Sequence, residues 1–558
     1  MKYGVFFLCL LSVAIMAASP SAVRGKNGMV ASRSALASTV GMEIMKKGGN
    51  AIDAAVATGF ALAVTYPSAG NIGGGGFMVV RLANGKVETL DFREVAPAAA
   101  SRDMYLDGEG NVVKGLSTRS HKAIGVPGSV DGLLEVLSKH GSLSRQEVLA
   151  PAIKLARDGF VLNEDLAEQF KNQHRFMKQY PASMAQFSKD GVPFVAGDLW
   201  KQPDLANTLE RIAKEGRDGF YKGKTADLIV AEMKNSGGLI SHEDLANYRS
   251  KWRAPVKGTY RDHTIWTMPP PSSGGVLLVQ MLNMLEPHKI GEMGYGSAAV
   301  VHLMIEAQRR AYADRAEHLG DPDYYKVPVE MLTSKEYARK RFADMDPEKA
   351  SDSDLIGAGE VPAESMETTH YSVMDARGNA VACTTTLNHG YGSRIVASGA
   401  GFLLNNEMDD FSVKANTFNS YRLLGGVANE IQPGKRMLSS MTPTIITRDD
   451  LVVLVTGSPG GSTIINTVFQ VVLNVVDHKM DLSDAVALPR FHSQWKPNRV
   501  VFEPHCFSPD TLSILKLKGH KELTEARWRL GDANSIVFKD GYLWGMSDPR
   551  NTGGASGY

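Results

Sequence analysis

The sequence predicts an α+β fold in which antiparallel sheet is covered by helices. Pairs of short apolar runs separated by turn signals, such as Asn84-Gly85, indicate β-hairpins. Longer apolar segments with helical spacing lie before and after these pairs and indicate the covering helices. The predicted strand pairs are 77–82 with 87–92, 369–374 with 380–387, and 442–447 with 451–456.

Glycine and proline separate the helical segments from one another. Residues 34–64 are rich in alanine and methionine, and a Gly-Gly-Asn turn at 48–50 divides them into two predicted helices. Residues 120–350 are predicted to be mainly helical, with proline-rich breaks. After the glycine-rich stretch 457–462, an apolar helix is predicted over 463–476.

The composition is that of a globular protein without a strong overall charge. The 558 residues carry a formal net charge of +1, and 43% are hydrophobic while 22% are charged. Such a chain has no strong field to attract nucleic acid or an anionic membrane. We therefore expect a small-molecule or peptide substrate, and no nucleic-acid partner.

The first residues have the pattern of a secretory signal peptide. Lys2 supplies a short positive region, residues 5–18 are almost wholly apolar, and small residues follow as far as Ala22. The apolar run is shorter than the roughly 20 residues that a spanning helix needs, so a signal peptide over 1–22 is favoured over an anchor. We expect a secreted protein without a membrane span after processing, periplasmic if its source is a Gram-negative bacterium.

Two cysteines, Cys383 and Cys506, lie outside that segment. An exported protein meets an oxidising compartment, so the two can form a disulfide, but two buried thiols fit the sequence equally well. Neither cysteine lies in a spacing typical of metal ligands.

Several common catalytic motifs are missing from the sequence. There is no G-x-S-x-G, and His242-Glu243 lacks the second histidine of a zinc protease. No Lys-Ser/Thr follows the four glycines at 73–76, so they do not form a P-loop. They precede a predicted strand instead of a helix, so they do not form a dinucleotide-binding fingerprint either. We therefore expect no metal or organic cofactor.

An acidic, polar stretch over 344–367 leads directly into a threonine-rich strand pair. The stretch has little periodicity and is predicted to be an exposed linker. A hydroxyl group needs a base to act as a nucleophile, and an N-terminal threonine can use its own α-amine, whose reference pKa is about 7.7–8.0. Thr368 would become N-terminal only by cleavage of its bond to Glu367. Without further evidence, threonines at the start of a strand more often reflect only the high β-propensity of this residue.

Five ordered motifs resemble those of the γ-glutamyltranspeptidase family, and they extend over almost the whole chain beyond the signal segment. They include an arginine motif, a processing site, an acidic motif, a serine pair and a glycine loop. The motifs are LDFREVAP at 90–97, ETTHYSV at 367–373, LNNEMDDF at 404–411, LSSMTPT at 438–444 and GSPGGS at 457–462.

This resemblance implies an N-terminal-nucleophile hydrolase with a four-layer αββα sandwich, built from two autoprocessed subunits. Cleavage between Glu367 and Thr368 would give a large subunit, 23–367, and a small catalytic subunit, 368–558, which form a heterodimer. The implied donors are glutathione, glutamine and other γ-glutamyl compounds. The implied acceptors are amino acids, peptides or water.

The resemblance also implies the catalytic residues. Thr368 would be the nucleophile, both in self-cleavage and toward the substrate, and Thr386 would hydrogen-bond to it. Gly460 and Gly461 precede the predicted helix at 463–476, so their backbone N–H groups can stabilise a developing oxyanion. An ordinary strand-to-helix turn would use the same glycines.

A γ-glutamyl donor carries an α-carboxylate and an α-ammonium, and a buried site must pair both charges. The guanidinium of Arg93 can form two hydrogen bonds to the carboxylate. The other donor-binding residues implied by the motifs are Ser439 and Ser440 for the carboxylate, and Asn388, Glu407 and Asp410 for the ammonium. Many bacterial relatives have glutamine at the position of Glu407, and either side chain offers an acceptor.

The segment 414–437 resembles a lid loop that some members of the family carry over the pocket, and Tyr421 would be its substrate-contacting residue. Met437 stands at its end, where proline is frequent.

The alternative functions are a related cephalosporin acylase, which shares the fold and chemistry, and an uncleaved protein that only binds γ-glutamyl compounds. The complete donor-binding set argues against the acylase.

Overall fold

The computed structural model describes residues 19–356, 368–413 and 427–558. The predictions for residues 1–18, for Glu367 and for Tyr421 therefore lie outside the described residues. Within the described ranges, no helix has the length and apolar character needed to cross a membrane.

Two seven-stranded antiparallel sheets form the centre of the molecule. The first has the strand order β14-β2-β8-β9-β3-β4-β5 and the second β1-β13-β12-β11-β10-β7-β6. Their strands are β1 Val23–Gly25, β2 Gly28–Ser32, β3 Gly75–Arg81, β4 Val87–Phe92, β5 Lys251–Arg253, β6 Val256–Tyr260, β7 His263–Thr267, β8 Thr369–Asp375, β9 Ala380–Thr386, β10 Thr444–Arg448, β11 Leu451–Thr456, β12 Ser535–Lys539, β13 Tyr542–Met546 and β14 Gly554–Gly557.

Helices cover the outer face of each sheet. The helices of the described residues are α1 Ala35–Lys46, α2 Ala51–Thr65, α3 Ser129–His140, α4 Arg145–Asp158, α5 Glu164–Met177, α6 Pro181–Phe187, α7 Pro203–Glu215, α8 Asp218–Tyr221, α9 Gly223–Ser236, α10 His242–Asn247, α11 Gly274–Leu285, α12 Ile290–Met293, α13 Ala298–His318, α14 Val329–Leu332, α15 Lys335–Arg341, α16 Thr463–Val476, α17 Leu482–Ala487 and α18 Pro509–Leu517. Shorter strands form three small sheets, namely Phe160–Val161 with Leu199–Trp200, Ser188–Lys189 with Val192–Pro193, and Phe491–His492 with Val500–Phe502 and Leu523–Glu525.

The hydrophobic core has three layers, because each sheet buries both of its faces. In β8, Tyr371 and Val373 face the helical layer that contains α2, whereas Met374 joins residues of the second sheet such as Ile445 and Val455. This division follows the period of two along a strand. On the other side, the second sheet packs on α11, α13 and α16. The predicted four-layer αββα sandwich is confirmed.

The two helices predicted over 34–64 are present as α1 and α2. All residues of α2 are buried, and Asn50 begins the helix with a capping box that involves Asp53. The prediction for residues 120–350 was incomplete, because the chain there also forms the edge strands β5 and β6 and the strand β7 next to β6. Alternating burial along β6 and β7 shows that a period of two was present in a region dominated by helical patterns.

Two further expectations concern the cysteines and the linker. Cys383 and Cys506 are both free thiols, so the disulfide alternative is wrong, and burial raises the pKa of Cys383 to about 12. The described part of the predicted linker, 344–356, exposes most of its carboxylates but is held at Ser353, whose carbonyl accepts a 2.9 Å hydrogen bond from Trp495.

Candidate active site

The β8–β9 hairpin brings two predicted site residues together. Thr369 pairs with Thr385 across the hairpin, so the preceding Thr368 lies opposite Thr386. Their hydroxyl oxygens are 3.4 Å apart, and the backbone N–H of Asn388 donates to the Thr386 hydroxyl at 2.8 Å. Thr368 is largely buried, with 7% of its surface exposed.

The glycine run at 73–76 allows β3 to approach this hairpin closely. A Cβ atom at Gly74 would lie 2.1 Å from the carbonyl oxygen of Thr386, and one at Gly75 would lie 2.5 Å from Glu94 Oε2. Larger side chains would therefore displace the strand end that holds Thr386. The run has a packing role beside the site.

Arg93 follows the last residue of β4 and is buried against the acidic motif. Its guanidinium donates hydrogen bonds to the carboxylates of Glu407 and Asp410, and its Nε donates to the carbonyl of Met437 at 3.3 Å. Glu94 Oε2 lies 3.6 Å from the same guanidinium. One cation therefore faces three carboxylates in a buried setting.

Burial dominates the titration of these carboxylates. Burial raises the pKa of Glu94 to about 7, against the attraction of Arg93. Burial also raises the pKa of Glu407 and of Asp410, although Arg93 and, for Asp410, Arg315 act in the opposite direction. Burial thus favours the protonated, neutral form of each acid, and the attraction of Arg93 opposes it.

The serine pair lies beside a second buried arginine. Arg315, from α13, donates to the hydroxyl of Ser440 at 3.2 Å and to the hydroxyl of Ser273 at 2.9 Å. Ser273 in turn donates to the carbonyl of Ser439 at 2.7 Å. The proline-rich break after β7 therefore holds the serine pair in place through Ser273. Arg315 adds a cation to the site that the motifs did not predict.

Besides both carboxylate oxygens of Glu94, two buried acceptors of this site have no hydrogen-bond donor among the described residues. They are Oδ1 of Asn388 and Oε2 of Glu407. Asn388 has a left-handed backbone, with a φ of +76°, and its amide nitrogen donates to the carbonyl of Asn406 at 2.9 Å. Buried acceptors are normally satisfied, so these two oxygens suit a ligand that brings N–H groups.

The glycine loop leads from β11 to α16. Gly460 and Gly461 have φ values of +131° and +55°, and their carbonyls accept from the backbone N–H groups of Thr463 and Ile464. The carbonyls thus point toward the first turn of the helix. Both residues use a conformation that favours glycine.

All the predicted site residues in the described ranges, except Gly460, line one cavity, which we call the donor cavity. Gly460 lines an adjoining cavity, the second cavity, and Thr368 is the one described residue that lines both. The prediction missed Arg315 and the burial of Glu94. No motif indicated Arg315, because the many charged residues of α13 suggest a solvated helix, whereas the structure buries most of it.

No histidine lines the donor cavity within the described residues. His370 follows Thr368 by two residues, but it is bonded to the hydroxyls of Thr384 at 2.8 Å and Ser372 at 3.1 Å. Burial lowers its pKa to about 3. His370 is therefore a weak base whose two ring nitrogens are both already hydrogen-bonded.

One group of described residues has the composition of a metal site: His302, Glu306 and His520, all buried. Its donor atoms are already engaged. His302 Nδ1 and His520 Nε2 share a hydrogen bond of 2.8 Å, and Glu306 accepts from Arg310 at 2.6 Å. None of the three lines the donor cavity.

The αββα sandwich, with a threonine at the start of a central strand, defines an N-terminal-nucleophile hydrolase. Residues 37–558 match the family described as Gamma-glutamyltranspeptidase. The chain therefore belongs to the γ-glutamyltranspeptidase family.

Individual relatives agree with this assignment. The chain is 51% identical over 533 residues to a glutathione hydrolase proenzyme of Escherichia coli (strain K12), covering 95% of this chain and 91% of the relative. Among solved structures, a cephalosporin acylase from Bacillus halodurans is 28% identical with a TM-score of 0.85, covering 98% of each chain. The γ-glutamyltranspeptidase of Helicobacter pylori is 47% identical with a TM-score of 0.57, covering 58% of this chain and 93% of that chain.

Proposed function

We propose that this protein is an autoprocessed γ-glutamyltransferase and glutathione hydrolase. It cleaves the γ-glutamyl amide bond of glutathione and related compounds through a γ-glutamyl ester of Thr368. The group then passes to water, an amino acid or a peptide. Family membership and the E. coli proenzyme at 51% identity support this activity.

The observation that carries the proposal is the pair of unsatisfied acceptors beside Arg93. Asn388 Oδ1 and Glu407 Oε2 are buried in the wall of the donor cavity without a donor among the described residues. An α-ammonium group carries three N–H donors. The cavity thus offers a partner for each reactive group of a glutamyl donor. The guanidinium matches the α-carboxylate, the two acceptors match the α-ammonium, and the Thr368 hydroxyl matches the γ-carbonyl.

Donor binding would exchange ion-pair partners within the cavity. Arg93 pairs with Glu407 and Asp410. The donor's carboxylate would take hydrogen bonds from Arg93 and from the hydroxyls of Ser439 and Ser440. Its ammonium would replace Arg93 as the partner of the two carboxylates. Both sets of charges stay paired throughout, which avoids the cost of an unpaired buried charge.

The chemistry is acyl transfer with an internal base. The α-amine of N-terminal Thr368 removes the hydroxyl proton while Oγ bonds to the γ-carbonyl carbon. The C–N bond of the donor then breaks, and the departing amine takes up that proton. Water or an acceptor amine attacks the ester, loses a proton to the α-amine, and the C–Oγ bond breaks as Oγ regains a proton.

Thr386 and the glycine pair assist these steps. The Thr386 hydroxyl, 3.4 Å from that of Thr368, orients the nucleophile. The backbone N–H groups of Gly460 and Gly461 stabilise the oxyanion that forms on the γ-carbonyl oxygen. The same nucleophile would first attack the carbonyl of Glu367 in self-cleavage.

A cephalosporin acylase is the alternative within the same fold class. The solved acylase is 28% identical to this chain, against 51% for the glutathione hydrolase proenzyme. Arg93, Asp410, Ser439 and Ser440 together form a set for an α-amino acid head group. We therefore favour the γ-glutamyl substrate class, in a secreted heterodimer of the subunits 23–367 and 368–558.

The test is the covalent state of the exported protein. We expect two chains, the smaller beginning at Thr368 and ending at Tyr558, by N-terminal sequencing and intact mass. Thr368→Ala should leave one uncut chain without activity. Thr368→Ser, which keeps a hydroxyl, should be cut and act more slowly.

An uncleaved wild-type chain would favour a binding protein instead of an enzyme. A small subunit with another first residue would contradict Thr368 as the nucleophile.

A further inference from the structure

The second cavity meets the donor cavity at the nucleophile. Thr368 lines both, while Gly461 lines the donor cavity and Gly460 lines the second. The reacting carbonyl would therefore sit at the boundary, with its oxygen near the glycine pair. When the glutamyl part occupies the donor cavity, the amine part of the same amide extends into the second cavity.

Four charged side chains of the described residues line the second cavity, and two of them neutralise each other. Arg33 donates to the carboxylate of Asp532 and lies 5.1 Å above the ring of Tyr66. Asp532 is buried and also accepts from the side chain of Asn551. This pair forms one wall and leaves little charge for a ligand.

The other two charges are Asp165 and Arg529. The carboxylate of Asp165 accepts from Gln169 at 3.1 Å and from Thr552 at 3.1 Å. Arg529 is exposed and has no ion-pair partner among the residues that the structure describes. It is therefore the cation of this cavity that can bind an anionic group without breaking an existing pair.

The amines that enter or leave this site have a common chemistry. Cysteinylglycine, released from glutathione, ends in a carboxylate, as do amino acid and peptide acceptors. The amine must be neutral when it attacks the γ-glutamyl ester, so the carboxylate is then the charged group of the molecule. A guanidinium binds a carboxylate through two parallel hydrogen bonds.

We propose that the second cavity binds the leaving amine and the acceptor, and that Arg529 binds their terminal carboxylate. This inference rests on the proposed function, because it requires the γ-glutamyl ester of Thr368. Arg529 then selects among acceptors by their carboxylate. Its exposure to solvent limits the strength of the contact.

The test compares two acceptors that differ in one group, glycylglycine and glycylglycinamide. The donor is γ-glutamyl-4-nitroanilide, and each variant's rate of transfer is divided by its own rate of hydrolysis. For Arg529→Gln, the ratio with glycylglycine should fall about fivefold, as expected for an exposed ion pair. The ratio with glycylglycinamide should stay at the wild-type value.

Arg527→Gln is the matched control, because Arg527 is exposed two residues away and lines neither cavity. It should alter neither ratio. An equal fall with both acceptors, or no fall with glycylglycine, would overturn the assignment of Arg529. If the wild-type protein released no 4-nitroaniline, the proposed function itself would fail.

Discussion

The two cavities that meet at Thr368 differ in how they hold charge. In the donor cavity, Arg93 is 1% exposed and is surrounded by carboxylates whose pKa values are raised by burial. In the second cavity, Arg529 lies in solvent without an ion pair among the described residues. Leaving a buried charge unpaired costs much free energy, so a buried site binds only ligands that pair every charge. A solvated charge loses little when its partner changes, so it can bind many partners. The donor side is therefore expected to be selective and the acceptor side permissive.

The largest effect should come from Arg93→Lys. The variant keeps the positive charge but loses the paired hydrogen bonds of the guanidinium. Truncating one partner of a buried, hydrogen-bonded charge pair costs about 2–5 kcal/mol, so we expect roughly a hundredfold rise in the KM for the donor. The KM for the acceptor should change little, and self-cleavage should proceed.

Arg102→Lys provides the comparison, since Arg102 forms an exposed pair with Asp103. Steady-state kinetics with varied donor and acceptor measures both effects. A donor KM close to that of the wild type would remove Arg93 from the donor site. Equal rises in both KM values would contradict the division into two cavities.

A smaller effect is expected from Gly461→Ala at the boundary between the cavities. The φ of +55° is accessible to alanine at a cost of about 1–2 kcal/mol, so the protein should still fold. A shifted backbone N–H would weaken oxyanion stabilisation, and losing such a donor completely costs about 10²–10³ in rate. We expect kcat to fall about ten- to hundredfold, with the donor KM nearly unchanged.

Gly237→Ala is the matched control, because Gly237 also has a left-handed backbone, with a φ of +73°, and lies at the end of α9 away from both cavities. It should lose stability without losing kcat. If Gly461→Ala kept a normal kcat while thermal unfolding showed a folded protein, the loop would be an ordinary turn.

The smallest effect concerns the pH dependence of stability on the donor side. Burial raises the pKa of Glu94 to about 7, above its value in an unfolded chain. Its protonated form therefore favours folding at low pH, and this contribution is lost as the pH rises through about 7. The side chain in Glu94→Gln is neutral at every pH. The Tm of this variant minus that of the wild type should therefore rise by a few degrees between pH 5 and pH 8.

Asp323→Asn should give the opposite comparison. Hydrogen bonds from Arg253 and Lys251 hold the pKa of Asp323 well below its usual range, despite partial burial. Its contribution is therefore constant above pH 5, and the difference in Tm from the wild type should not change between pH 5 and pH 8. A Glu94→Gln difference that was equally flat would mean that Glu94 is ionised across this range.

Much of the fold could be predicted from local patterns. The strand pairs on either side of Asn84-Gly85 and of residues 375–379 appear in the sequence as alternating runs, and the structure contains them as β3–β4 and β8–β9. The helix predicted over 463–476 is α16. These elements are encoded within windows of 6 to 15 residues, where hydrophobic period and turn chemistry suffice.

The candidate residues could be chosen from ordered motifs, but their arrangement depended on the tertiary structure. Arg93 contacts Glu407 and Asp410, which lie 314 and 317 residues further along the chain. Arg315 reaches Ser440 from the last turn of a helix whose charges suggest a solvated surface. Burial, ion pairing and raised pKa values arise from such distant contacts, which no local window contains.

The sequence by itself thus determined most of the elements and, through its resemblance to a family, the αββα class and the residue types of the site. The tertiary structure decided which charges are buried, which acceptors lack a donor, and that Thr368 stands between two cavities. The physical reason is that period and turn chemistry act over a few residues. The electrostatics of a site depend instead on every element packed around it.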